Sequence, residues 1–261
     1  MPCKSVKKMS VSLEKTPISK GVNLAKNPLF MMIDTETIYM RKRVYELGFI
    51  VFDSVTCRVI EKGRFLIKET LESALYYFLQ HGKTPIFWPD SRLNVMDCMK
   101  HKDCMLWQDA IGALLASVKK YDVAAFIAHN ISFDIEAIYK TGKLYSSDFD
   151  SVFSVMSPIE KLELSGYFIH GLPDNLAYNM PHKVKSGCMT MKADFLVPAL
   201  IAGASQNHDA LGDCVNQLAL YKIATENNGR YQNQGTIYAN MQMFHAVQYE
   251  SARRLGTSEL E

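Results

Sequence analysis

The order of the apolar segments along the chain constrains the fold most strongly. Three segments of strand length come first, at Leu29–Ile33, Val44–Asp53 and Cys57–Ile67. Two segments with the apolar spacing of helices follow, at Thr70–Gln80 and Leu106–Tyr121. A short apolar strand, Val123–Ala128, then leads into a helix from about Ser132. Consecutive strands followed by alternating helix and strand predict an α/β fold, with a mixed sheet flanked by helices.

The length of 261 residues suits one large domain with tails. Met1–Pro28 contains six lysines against one acid, Glu14, and little periodic hydrophobicity. We therefore expect a flexible basic arm there, with contact to nucleic acid as the alternative. The main domain is expected over residues 29–225, with its last helix near Ala210–Ala224. A polar tail, residues 226–261, follows and has one further helical pattern around Ile237–Arg254.

Composition excludes several classes of protein. Hydrophobic residues make up 48% of the chain, which is enough for a full core and excludes a disordered protein. The net charge of +2 is low for a protein that coats duplex DNA, so any contact with nucleic acid should be local. The six cysteines lack disulfide-framework spacing, and the sequence has neither an apolar run of 18 residues nor a signal peptide. We therefore expect a soluble, cytoplasmic protein without membrane contact.

Two carboxylates follow the first apolar strand in the stretch FMMIDTETIYM. Asp34 and Glu36 are two residues apart, so both should project from the same face of a strand. Two carboxylates on one face repel each other and need a cation or a proton between them. Oxygen ligands of this kind suit Mg²⁺ or Mn²⁺ better than zinc. By itself this pair is a common pattern and indicates little.

A second polar stretch, AHNISFD, stands at the exit of the strand Val123–Ala128. Ligands in α/β proteins bind at such carboxyl ends of strands. Asp134 would lie in the first turn of the following helix, where the helix dipole also favours a carboxylate without any metal. Asn130 is a candidate N-cap of the same helix, and Phe133 fits plain core packing equally well.

A third stretch, NHDALGDC, contains His208 and Asp213. Five residues of helix correspond to about 500° of rotation, so two helical residues at this spacing would not share a face. The two side chains can converge only if His208 lies just before the helix and Asp213 lies inside it. Capping residues at the boundary agree with that arrangement.

Together, DTET, AHNISFD and HDALGD resemble the three motifs of the DnaQ-like 3′–5′ exonuclease superfamily, in its DEDDh branch. His-Asn-x-x-Phe-Asp alone should occur by chance in roughly one chain of this length in several hundred. The histidine spacing selects this branch, since the sister branch carries a tyrosine where this sequence has Asp209. The resemblance extends over about Leu29–Thr225 and implies a ribonuclease H-like fold.

The resemblance also implies a chemistry. Asp34, Glu36, Asp134 and Asp213 would hold two divalent cations, Mg²⁺ or Mn²⁺, and His208 would act as the general base. The product would be nucleoside 5′-monophosphates released from the 3′ end of DNA, with single-stranded or unpaired ends favoured and RNA as the alternative substrate. A polymerase or another replication protein is a candidate partner, and the oligomeric state is left open.

After Glu36 the sequence departs from the family, which often continues with Thr-Thr-Gly where this chain reads TIYMRKR. By resemblance, this stretch meets the terminal nucleotide. Tyr39 would stack on a base, and the basic residues after it would meet phosphates, unless they form a solvated loop. The candidate substrate-binding residues are Thr35, Thr37, Ile38, Tyr39, Asn130, Arg41, Lys42 and Arg43.

Two other classes of protein remain as alternatives. A catalytically weak nucleic-acid-binding module would normally have lost at least one of the acids, and all four are present together with the histidine. A structural zinc site could use Cys98, His101 and Cys104 with His182 or Cys188, although their spacing matches no common zinc pattern.

Overall fold

The structure is a computed structural model, and it describes residues 27–38, 42–82, 95–147, 149–165, 192–206 and 208–228, without the side chains of residues 151, 152 and 226–228. The predicted basic arm lies outside these residues except for its last two positions. The predicted helix at Ile237–Arg254 lies outside them as well. Both remain predictions, as do the proposed domain boundaries.

The strands form one mixed six-stranded sheet in the order β4-β3-β2-β1-β5-β6. Their bounds are β1 Leu29–Ile38, β2 Arg43–Asp53, β3 Val59–Ile67, β4 Cys104–Met105, β5 Ala125–Ala128 and β6 Glu160–Glu163. The first three strands form an antiparallel meander, whereas β5 runs parallel to both β1 and β6. This arrangement confirms the predicted α/β fold with a mixed sheet.

Helices account for most of the remaining described residues. Their bounds are α1 Lys68–His81, α2 Val95–Lys100, α3 Trp107–Lys120, α4 Ile131–Tyr145, α5 Phe149–Met156, α6 Ala193–Leu200 and α7 Ala210–Asn228. The patterns that predicted α1, α3, α4 and α7 are confirmed, although α7 is longer than expected. The strand predicted from Cys57 begins at Val59 instead, because Cys57 belongs to a turn: its φ is +56° and its N–H donates to the Asp53 carbonyl.

The chain divides into two compact units. One unit contains Pro28–Leu164 and His208–Val215, and therefore the whole sheet together with the first turn of α7. The second unit includes the described residues 192–206 and 216–228, and thus α6 and the remainder of α7. All the candidate metal ligands and His208 belong to the first unit.

The main core lies on one face of the sheet. Met31 of β1 and Phe49 of β2 are buried in one cluster with apolar side chains of α3 and α4, such as Leu114 and Ile138. Every residue of β5 is buried, which fits a short central parallel strand. The rigid central strands therefore fix the position of the carboxyl end of β1.

Two polar side chains accept hydrogen bonds from the first turns of helices. Asn130 is the N-cap of α4, because its side chain accepts a hydrogen bond from the Phe133 N–H at 3.3 Å. The first turn of α3 is capped over a long range, since the Trp107 N–H donates to the Glu69 carboxylate at 3.0 and 3.1 Å. The expected N-cap role of Asn130 is thus confirmed.

A β-bulge interrupts the pairing of β1 with β2. Glu36 pairs with Glu46, whereas Thr37 pairs with Val44, so Tyr45 is the extra residue of β2. The extra residue shifts the alternation of side chains between the two faces of β2. Val44 belongs to the main core, and Tyr45 lies in a smaller cluster with Leu66 and neighbouring apolar residues of β1, α1 and α2.

In the described part of the chain, no helix combines the length and the apolar character that crossing a membrane requires.

The face of α3 that contacts the core can be tested by two substitutions on that helix. Leu114 is fully buried, so Leu114→Ala should lower the free energy of unfolding by about 2–5 kcal/mol. Gly112 is exposed, and a Cβ there would meet no atom within 4 Å, so Gly112→Ala should raise it by roughly 0.5–1 kcal/mol. Urea unfolding measures both values. If Leu114→Ala and Gly112→Ala changed the free energy of unfolding by the same small amount, the observed orientation of α3 would be contradicted.

Candidate active site

The carboxyl end of β1 holds the first pair of acids. Asp34 and Glu36 are both partly buried and lie on the same face of the strand, as predicted. Thr35, between them, points to the other face. Its N–H and its hydroxyl both donate to Asp134 Oδ1, at 2.9 and 2.7 Å. Thr35 was predicted to bind substrate, whereas in the structure its polar groups fix the third acid.

Asp134 reaches the end of β1 from the first turn of α4. Its side chain is 5% exposed. Burial raises the pKa of Asp134, and the two hydrogen bonds from Thr35 oppose that rise. The sequence predicted Asp134 in this helical turn, and the structure adds the long-range contact that holds it beside β1.

His208 and Asp213 come from the segment that begins α7. His208 precedes the helix with a φ of +53°, in the left-handed region of backbone space. Asp209 closes the first turn, because its carboxylate accepts from the Gly212 N–H at 2.7 Å and its carbonyl accepts from the Asp213 N–H at 2.8 Å. The expectation that the histidine stands before the helix and Asp213 within it is confirmed.

These elements bring Glu36, His208 and Asp213 together. One ligand atom from each of the three side chains lies within 4.8 Å of the other two. Among the residues that the structure describes, this is the one such group of histidine, cysteine and acidic side chains. Two carboxylates and an imidazole at this separation can coordinate a divalent cation directly or through water.

The electrostatics of the group also favour a cation. Burial, with Asp213, Glu46 and Asp134 as the next causes, raises the pKa of Glu36 to about 8. Within the described part of the chain no lysine or arginine forms an ion pair with Glu36. Ionised carboxylates this close together repel, so a bound metal ion would remove an unfavourable interaction that the protein alone leaves in place. The residues present therefore fit a hard divalent cation.

Beyond the four predicted acids, the structure places Glu46 near Glu36, and sequence reasoning missed it. Glu46 is the cross-strand partner of Glu36 and is 3% exposed. Burial raises the pKa of Glu46 to about 7, and the Arg64 guanidinium opposes that rise. In the sequence, Glu46 interrupts the apolar run VYELGFIVFD, and a charged residue inside such a strand was the available signal.

The stretch after Glu36 is only partly described. Ile38 is 7% exposed and packs in the smaller cluster, which leaves little surface for the nucleotide contact that was predicted. Lys42 donates to Glu136 at 2.5 Å and lies over the Phe133 ring, so its charge is already compensated within the protein. Thr37 and Arg43 are partly buried near the end of the same strand pair. Tyr39 and Arg41 lie outside the described residues.

The structure does not support the zinc alternative at Cys98, His101 and Cys104. Within the described ranges these three side chains do not form a group of metal-ligating atoms. The His101 ring instead contacts Arg64 and Asp103, at 3.3 and 3.4 Å. The proposed fourth ligands, His182 and Cys188, lie outside the described residues.

Comparison with known proteins identifies a shared fold. No protein-family model matches the sequence, and no curated protein matches it either. Escherichia coli exonuclease I in complex with a dA16 oligonucleotide matches with a TM-score of 0.54 at 16% identity, over 78% of this chain and 42% of that one. The complex of exonuclease I with a dT13 oligonucleotide matches with a TM-score of 0.53 at 16% identity, over 81% of this chain and 46% of that one.

A product-bound structure of exonuclease I also matches, with a TM-score of 0.53 at 15% identity, over 78% of this chain and 45% of that one. This chain therefore spans less than half of the length of these exonucleases. At such low identity the likeness is one of fold: a mixed six-stranded sheet flanked by helices, as in these nucleases.

The raised pKa of Glu36 predicts how the stability of the metal-free protein depends on pH. The Glu36 carboxyl of the folded state keeps its proton up to about pH 8, whereas in the unfolded state it releases the proton near 4.5, the ordinary pKa of a glutamate. Between these values the folded state binds more protons, so its stability falls as pH rises. In EDTA, the Tm of the wild type should fall from pH 5 to pH 8 more steeply than that of Glu36→Gln.

The matched control for this measurement is Glu72→Gln, which removes an exposed carboxylate that pairs with Lys68 on α1. Its Tm should follow the pH dependence of the wild type. Added Mg²⁺ should raise the Tm of the wild type more at pH 8 than at pH 5, because the ionised carboxylates are the ligands. Parallel curves for the wild type and Glu36→Gln would contradict the assignment of this proton to Glu36.

Proposed function

We propose that the protein is a metal-dependent 3′–5′ exonuclease that releases nucleoside 5′-monophosphates from the 3′ end of DNA. The observation on which the proposal depends is the convergence of Glu36, His208 and Asp213 at the end of β1. The first and third sequence motifs meet in this group, and the second motif reaches the end of β1 through Asp134, which accepts two hydrogen bonds from Thr35. The fold shared with exonuclease I supports the same conclusion.

Asp34, Glu36, Asp134 and Asp213 would hold two divalent cations, Mg²⁺ or Mn²⁺. Bound there, the ions would stabilise negative charge on the attacking and leaving oxygens during phosphodiester hydrolysis. The protein contributes the position of each carboxylate. Thr35 fixes Asp134 by two hydrogen bonds, and the turn closed by Asp209 fixes Asp213.

His208 would act as the general base, with an imidazole nitrogen taking a proton from the attacking water. Imidazole titrates near neutral pH, which suits this role. Its backbone conformation and its place before α7 put the ring beside two of the proposed metal ligands, Glu36 and Asp213, without making it part of the helix. In this role an imidazole nitrogen beside the Glu36 and Asp213 carboxylates would accept the proton.

A DNA 3′ end is the preferred substrate in this proposal. The modest net charge argues against a grip on long duplex DNA, and an unpaired 3′ end can reach the site at the carboxyl end of β1. The matching exonuclease I structures hold dT13 and dA16 oligonucleotides, and another is an exonuclease I/SSB-Ct complex. A replication protein is therefore a reasonable partner to test here, and RNA is the alternative substrate.

The proposed polarity and metal dependence can be tested with labelled oligonucleotides. A 5′-labelled DNA strand should shorten progressively with Mg²⁺ or Mn²⁺ and stay intact in EDTA, because the ions are required for the chemistry. The same sequence as RNA, measured in parallel, decides the substrate class. Release of the 5′ label as a mononucleotide at the outset, or cleavage of a circular strand, would contradict the proposal.

The role of His208 predicts a loss of rate with the fold retained. His208→Ala should slow the single-turnover rate by roughly 10²–10⁴-fold, the usual contribution of a positioned acid–base group. The acidic limb of the pH–rate profile should weaken at the same time. His81→Ala is the control, since His81 is exposed in the last turn of α1 and should have no effect. A near-normal rate of His208→Ala with an unchanged acidic limb would contradict the role.

Asp213 is expected to behave differently, because it is a proposed metal ligand. Asp213→Asn should lower the affinity for Mn²⁺ together with the rate. Asp109→Asn is the matched control, because Asp109 is an exposed aspartate in the first turn of another helix, α3. Equal Mn²⁺ affinities for the two variants would show that Asp213 is not a metal ligand.

A further inference from the structure

Glu46 occupies a place that the proposed chemistry does not explain. It is nearly completely buried on β2, directly opposite Glu36 in the register of the sheet. A buried carboxylate is costly unless hydrogen bonds or opposite charges compensate it. Glu46 has two such neighbours, one in α7 and one in β3.

The first contact is with α7. The backbone N–H of Ala210, the first residue of that helix, lies beside the Glu46 carboxylate and opposes the rise of its pKa. The N–H groups at the start of a helix have no partner within the helix, and the helix dipole favours a negative charge there. Ala210 lies between His208 and Asp213 in the sequence, so Glu46 holds the turn from which both side chains project.

The backbone of β2 also meets this turn. A Cβ on Gly48 would lie 2.4 Å from the carbonyl carbon of Ala210 and 2.6 Å from the Leu211 nitrogen. Gly48 is two residues from Glu46 and lies on the same face of the strand. The start of α7 therefore rests directly on the β2 backbone, and Glu46 fixes it from beside that contact.

The second contact of Glu46 is with Arg64 of β3. Arg64 Nη1 lies 3.7 Å from Glu46 Oε1. The other guanidinium nitrogen, Nη2, lies 3.5 Å from Asp103 Oδ2 and 3.3 Å from His101 Nε2. These contacts fix the Arg64 guanidinium against the turn between α2 and β4. From that position the guanidinium can hold the Glu46 carboxylate in one orientation.

We propose that Glu46, oriented by Arg64, is a positioning residue that docks the first turn of α7 on β2 and so places His208 and Asp213 beside Glu36. The proposal rests on the function proposed above, since it concerns the same site. Glu46 itself touches no reacting atom in this proposal. It acts through the Ala210 N–H.

The test compares Glu46→Ala, Glu46→Gln and Arg64→Met with a matched control, Glu69→Ala. Glu69 makes the same kind of contact elsewhere, because its carboxylate caps the first turn of α3. Three quantities are measured for each variant: Mn²⁺ affinity by electron paramagnetic resonance, the single-turnover rate on a 5′-labelled DNA strand with saturating Mn²⁺, and Tm. Mn²⁺ binding is independent of nuclease activity.

Glu46→Ala should lower the Mn²⁺ affinity by about 10–100-fold, as loss of a side chain that orients metal ligands does. Its rate should fall by ~10²-fold, because small misplacements of reacting groups have effects of that size. Glu69→Ala should lower Tm and leave the Mn²⁺ affinity unchanged. Glu46→Gln should recover most of the loss, since its amide oxygen can still accept from the Ala210 N–H. Arg64→Met should show a smaller loss of affinity.

Glu46→Gln separates positioning from charge, because it loses the same charge as Glu46→Ala but keeps the acceptor. Equal losses in these two variants would overturn the proposal, as would a Mn²⁺ affinity of Glu46→Ala equal to that of Glu69→Ala. If Glu46→Ala does not fold, an unchanged affinity in Arg64→Met would overturn it. A wild type that binds Mn²⁺ but degrades no nucleic acid would refute the proposed function alone, and the Mn²⁺ affinities would still decide the role of Glu46.

Discussion

Electrostatic repulsion among carboxylates at the end of β1 is the constraint on which the rest of the site depends. Glu36 lies near Asp213, Glu46 and Asp134, and its pKa is raised to about 8 as a result of burial and of these neighbours. Carboxylates that repel each other stay close together only where the surrounding structure holds them in place. Here the central strands of the sheet provide that rigidity, and a divalent cation would relieve the repulsion.

The acids reach this place from both faces of the sheet. Asp134 comes from α4, on the side of the main core, and is fixed by the backbone and hydroxyl of Thr35. Asp213 comes from α7, whose start rests on Gly48. The β-bulge in β2 places the Tyr45 side chain on the face of the sheet that carries Glu36. The site is thus assembled by tertiary contacts between elements distant in the sequence.

The likeness to exonuclease I concerns the fold, and it extends over less than half of that protein's length. A ribonuclease H-like sheet can support many chemistries, so the proposed activity depends on the residues at the end of β1 and not on the sheet itself. The histidine beside Glu36 and Asp213 is the more specific observation, because acidic clusters alone are common.

Local sequence patterns predicted β1, β2, β3 and β5, the helices α1, α3, α4 and α7, the position of Asp34 and Glu36 on one face, and the place of His208 before a helix. They did not predict the short elements α2, β4, α5, β6 and α6. The predicted features follow from local periodicity and capping, which short stretches of chain encode. Contacts in the folded chain were needed to show that Thr35 donates to Asp134, that Ile38 is buried, and that a carboxylate of β2 lies beside the start of α7. The contacts of Thr35 and of the β2 carboxylate join residues about a hundred or more positions apart. All three depend on strand register and helix docking, which local sequence patterns do not specify.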